Sequence, residues 1–87
     1  MLVVFEVHMA LDADPEKLLS EEVKKETHAQ LMSLEEAKKL GFAGLPAPPE
    51  DRKVVLVAVG RRDKNWVHNV LEADPSVLGF RAHDVDA

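Results

Sequence analysis

Leu2-Val3-Val4-Phe5-Glu6-Val7-His8-Met9, at the start of the chain, is the stretch that decides the fold. With a period of two, Val3, Phe5, Val7 and Met9 fall on one face, and Leu2, Val4, Glu6 and His8 on the other. The first face is wholly apolar and calls for helices packed on it. The second turns polar toward its C-terminal end, which a face serving only as core would not do.

Working outward, Lys53 to Val59 is the strongest strand signal in the chain, a β-branched run that reads as buried on both faces and therefore central. Val77 to Val85 reads as a last strand, with Leu78, Phe80 and Ala82 on one face and Gly79, Arg81 and His83 on the other. Asp14-Pro15 is a helix start, Asp as cap and Pro in the first helical position. From there to Leu40, the residues Leu19, Val23, Thr27, Leu31, Leu34 and Ala37 recur at helical spacing. Ser33-Leu34-Glu35-Glu36 has the capping-box pattern, so the segment is one helix, or two with a break near His28 or Ser33, ending at Gly41. Phe42 to Glu50 holds Gly44, Pro46, Pro48 and Pro49, and proline confines it to a short edge strand and loop. Asp63 caps a short helix carrying Trp66, Val67, Val70 and Leu71, which stops at Asp74-Pro75.

This order is β-α-β-β-α-β, an α+β arrangement. Right-handed crossovers turn it into a ferredoxin-like antiparallel sheet, with the first and third strands central and the last beside the first. Both helices would cover one face. The bare opposite face would be buried against a second copy, giving a homodimer.

A chain of 87 residues is a single domain, 1–87. It buries only about 60% of its unfolded surface, so association is a natural source of further stability. The absence of cysteine excludes disulfides, thiolate metal sites and a Cys nucleophile. A net charge of −5 argues against nucleic acid. The basic pairs Lys24-Lys25, Lys38-Lys39 and Arg61-Arg62 are interleaved with acids and read as solvated surface. No apolar run is long enough to span a bilayer, and the start lacks the basic region and cleavage site of a secretory signal, so a soluble cytoplasmic protein is expected.

The chemistry-bearing residues fall in two groups. Glu6 and His8 point away from the helices, and Arg81 and His83 would join them from the neighbouring strand, making a candidate substrate-binding cluster between sheets. The alternative is that these four sit at a solvated end of the sheet. His28 lies beside the apolar stripe of the first helical segment, and Asp74 stands before a proline, a common structural place for Asp. The His spacings fit no zinc motif, and no phosphate loop or serine-nucleophile motif occurs, so neither metal nor cofactor is expected.

Lys25-Glu26-Thr27-His28 leading into Ala29-Gln30-Leu31, then Gly41 and Ala43-Gly44-Leu45-Pro46, resembles the middle of YCII-related domain proteins. Lys53 to Val57 resembles that family's third strand, and Trp66 through Glu72-Ala73-Asp74-Pro75 its second helix and alanine-aspartate-proline ending. The likeness spans nearly the whole chain and implies a ferredoxin-like unit paired sheet to sheet as a dimeric α/β barrel. It also implies a catalytic pair, His28 moving a proton and Asp74 orienting it, with Lys25 beside them toward substrate. The activity so implied is acid/base lyase or isomerase chemistry on a small oxygenated ring or acid. Muconolactone isomerases are similar in the first strand, the following Asp-Pro and the acidic helix, and share the barrel. The alternative function is a noncatalytic module for small-molecule binding or dimerisation.

Overall fold

Alternation does build the first strand, and it lies inside the sheet. The computed structural model describes residues 2–44 and 49–85. β1 (Leu2–Ala10), β2 (Gln30–Met32), β3 (Arg52–Gly60) and β4 (Val77–Val85) form one sheet in the order β2-β3-β1-β4. Every neighbouring pair is antiparallel, and the first and third strands are central with the last beside the first, as the sequence implies. Three helices complete a small α+β domain: α1 (Glu21–Thr27), α2 (Leu34–Lys39) and α3 (Lys64–Ala73).

The apolar face of β1 carries the main core. Val3, Phe5, Val7 and Met9 pack with Leu19 and Val23, with Val57 and Val59 of β3, and with Val67 and Leu71 of α3. Each fully buried Val or Leu there contributes roughly 1.5–3 kcal/mol of apolar burial.

The segment between Asp14 and Gly41 differs from the helical stripe read from its sequence. Asp14 accepts from the Glu16 N–H as expected, but the helix it starts is a single 3₁₀ turn, Pro15–Lys17. Ser20 then caps α1 by accepting from the Val23 N–H. α1 stops at His28, whose backbone is left-handed (φ 58°) and whose N–H bonds Lys24 O at 2.9 Å. Buried Thr27 holds the turn: its hydroxyl donates to Val23 O at 2.6 Å and accepts from the Ala29 N–H at 3.1 Å. The chain leaves this turn as β2, beside Leu56–Ala58 of β3. The second strand is therefore Gln30–Met32, not a piece of Phe42–Glu50, where none of the described residues is in a strand. The rest of the expected turn, residues 45–48, lies outside the described residues. Because β2 is so short, only Leu56–Val59 of β3 is fully buried, and Lys53–Val55 is half-buried.

Ser33 and Glu36 form the expected capping box at the start of α2. Gly41, with φ 103°, closes that helix in a conformation glycine adopts without penalty, and the Phe42 N–H bonds back to Ala37 O. This hairpin lays Ala37 and Phe42 over Val4, Leu56 and Val85, on the second face of the sheet. That face is thus not bare. Val4, Leu56, Ala58 and Val85 are buried within one copy of the chain, so the apolar surface that called for a second copy is already covered at this end.

Asp63 stands at the start of α3 but makes no side-chain capping bond. The helix stops at Asp74, as its Asp-Pro sequence requires.

Candidate functional site

The uncovered half of the second face is polar. Register places Glu6 opposite Arg81, Val4 opposite His83 and His8 opposite Gly79 on β4, with His8 opposite Val54 and Ala10 opposite Arg52 on β3. Glu6, His8, Arg81 and His83 do come together, as the strand alternation implies.

Glu6 is the centre of this group. Its side chain is 13% exposed and bridges two imidazoles. An ionised carboxylate only accepts, so both rings carry their proton on Nε2. His8 donates to Glu6 Oε2 at 2.6 Å and His83 to Oε1 at 3.0 Å. Burial pushes the Glu6 carboxyl up. The hydrogen bonds from His8 and His83, with the charge of those rings, push it further down, and the net result is a value below the ordinary 4.5. Phe42 fixes the His83 ring from the other side, edge to face at 5.1 Å and 89°. With Nε2 committed to Glu6, the Nδ1 atom of His8 is left buried without a hydrogen-bond partner among the described residues.

A cavity of about 160 Å³ opens beside the carboxylate, lined by Glu6, His8, Arg52, Gly79, Phe80 and Arg81. Arg52 donates its Nε to the exposed Asp51 at 3.3 Å. Arg81 faces Glu6 across the strand pair, yet among the described residues it has no ion-pair partner. Arg52 and Gly79 were not singled out from sequence. Counting back by twos from Leu56 puts Arg52 on the Glu6 face, a signal usable only once the register is known.

His28, Lys25 and Asp74 lie elsewhere. Exposed His28 lines an open cleft of about 440 Å³ with Thr27, Gly60, Arg61, Arg62 and Asp63, at the end of the sheet where Gly60 pairs with Leu2. Asp74 sits at the other end, where Ser76 O accepts from the Ala10 N–H. Its Oδ1 accepts from the Ser76 N–H at 2.9 Å and from the Ser76 hydroxyl at 2.7 Å, a turn-forming arrangement. α3 runs between the two ends, and its ten residues span about 15 Å. The structure therefore does not unite His28 with Asp74. Lys25 is exposed on α1, whose core residue Val23 packs on the first face, across the sheet from Glu6.

Among the described residues no group of three or more His, Asp or Glu side chains is placed to hold a metal ion, and no helix is long and apolar enough to cross a membrane. Comparison of the chain with protein-family models, curated proteins and solved structures finds no match in any of the three.

Proposed function

We propose that this domain performs acid/base chemistry of the lyase or isomerase type on a small oxygenated compound at the Glu6–His8–His83 cluster. One observation carries this: a nearly buried carboxylate, bonded to one imidazole from each of two strands, lines a cavity together with His8 and two guanidiniums. Imidazole is the side chain that exchanges protons most readily near neutral pH. Glu6, held ionised, fixes the ring orientation and stabilises whichever ring takes a proton. The YCII-like pattern supplies a frame of the same general class, but the proton relay proposed here uses Glu6, His8 and His83 in place of His28 and Asp74.

The test is hydrogen–deuterium exchange at carbon, followed by NMR, with a panel of short oxo- and hydroxy-acids and small neutral ketones in D₂O. Wild-type protein should accelerate exchange in at least one of them. Glu6→Gln and His83→Gln, checked as folded, should each lower that rate by about 10²-fold or more. Unchanged exchange in both variants, or none above buffer with any compound, refutes the catalytic assignment. The second reading, a binding module without turnover, is favoured by the enclosure of His8 Nδ1. It predicts saturable binding with no exchange.

A further inference from the structure

We propose that the ligand of this site is a short-chain monocarboxylate, its carboxylate held by Arg52 and Arg81, in a space left open because residue 79 is glycine. The proposal rests on the Glu6 cluster being the ligand site, though not on its being catalytic.

Charge comes first. Arg81 is the direct cross-strand neighbour of Glu6 on the same face, the position where an ion pair would ordinarily form. Glu6 instead bonds the two imidazoles, one to each oxygen. Each Glu6 oxygen is thereby taken by a ring, and Arg81 lines the cavity with no ion pair among the described residues. Arg52 lines the same cavity from β3, and its partner Asp51 is exposed, where solvent screens the pair. Two guanidiniums against the one Glu6 carboxylate leave a single positive charge in the lining, which matches a monoanion. Guanidinium is also the group best shaped to take a carboxylate in two parallel bonds.

Size comes second. The cavity of about 160 Å³ equals roughly five water-sized volumes at ~30 Å³ each. Acetate, propionate and butyrate all fit that space. Gly79 makes the room: it lies opposite His8 in the strand pair, and a Cβ built on it meets nothing within 4 Å. Its backbone is not left-handed, so a side chain there fills the cavity without straining the strand.

The experiment is an NMR titration of uniformly ¹⁵N-labelled protein at pH 7 and low salt. The probes are acetate, propionate, butyrate, propionamide and inorganic phosphate. Propionate or butyrate should shift the His8, Gly79 and Arg81 signals saturably, and bind about tenfold or more tighter than propionamide. Arg81→Gln should weaken this by a similar factor. Gly79→Leu should abolish it while leaving the His8 and His83 imidazole signals of the Glu6 cluster in place. The inference is overturned if propionamide or phosphate binds as tightly as the short acids, if Gly79→Leu binds them unchanged, or if no short acid binds. Short acids that bind but never exchange hydrogen leave the inference standing and remove the catalytic assignment. Catalysed exchange of a neutral compound without carboxylate binding does the reverse.

Discussion

Replacing Glu6 by Gln tests whether the carboxylate orders the two histidines. Gln keeps the shape but offers one acceptor and one donor group where two acceptors stood. The ring opposite the new amide NH₂ must therefore turn its tautomer or lose its bond. His8 is the ring that resists: moving its proton to Nδ1 would put an N–H in a buried position with no partner. In the Glu6→Gln variant the amide oxygen should accordingly turn to His8 and the NH₂ to His83, which shifts to the Nδ1–H form. The energetic cost follows from the two bonds at 2.6 and 3.0 Å. Charge-assisted bonds contribute about 1.5–3 kcal/mol each and neutral ones about 0.5–1.5, so two conversions cost roughly 2–3 kcal/mol before relief of the carboxylate's burial is credited. A net loss of about 1–2 kcal/mol at pH 7 is expected, and in urea this moves the midpoint by about 1–2 M for a chain of this size.

The pH dependence follows from the direction of the Glu6 shift. Its carboxyl is lower in the folded state than the ordinary 4.5, so its contribution is fully present above that value and is lost as pH falls through the folded value. The difference between wild type and Glu6→Gln should therefore shrink on acidification below about pH 4.5. Urea melts at several pH values, with long-range ¹H–¹⁵N spectra to read the tautomers, decide the matter. Equal midpoints at pH 7, with the His83 tautomer unmoved, would show that the carboxylate does not organise the site.

Substitutions at the two displaced residues check the rest. His28→Gly relieves a left-handed non-glycine backbone at φ 58° and should raise stability by up to about 1 kcal/mol in thermal melts; a clear loss would mean that the imidazole itself holds the turn. Asp74→Ala removes both side-chain bonds to Ser76 and should cost about 1 kcal/mol while leaving the His28 imidazole signals unmoved. A coupled change at His28 would contradict their placement at opposite ends of the sheet.

The parts of this molecule that could be read from sequence are those with an unbroken period of two. β1 alternates over its whole length, and that alone assigns Val3, Phe5, Val7 and Met9 to the core and Glu6 and His8 to the opposite face. β4 alternates weakly, but Arg81 and His83 share parity and so travel together with the register. What stayed hidden was set by single side chains. Thr27 closes α1 through its own hydroxyl, a bond no periodicity reveals, so Leu31 and Leu34 read as a continuing helical stripe. One of them belongs to β2 and the other opens α2. The prolines after Phe42 suggested an edge strand because the real one is only three residues long and lies inside that stripe. His28 and Asp74 were joined by a pattern resemblance, which holds no information about distance.

The second face of the sheet couples the fold to its candidate chemistry. Along β1 the residues on this face run Leu2, Val4, Glu6, His8, so a single alternation passes from apolar to titratable within one strand. α2 and Phe42 cover the apolar end, and the cover stops where Glu6 begins. Phe42 marks that boundary. Its ring packs with Val4 and Leu56 beneath α2, and meets the His83 imidazole edge to face at 5.1 Å. The capping box and glycine turn that hold α2 in place therefore also hold one of the two rings bonded to Glu6. An imidazole fixed on one side by a carboxylate and on the other by an aromatic ring has lost most of its rotamer freedom. A second copy laid flat on this face would have to displace α2 or rest on Glu6, His8, Arg52 and Arg81, and desolvating those charges opposes a dry interface.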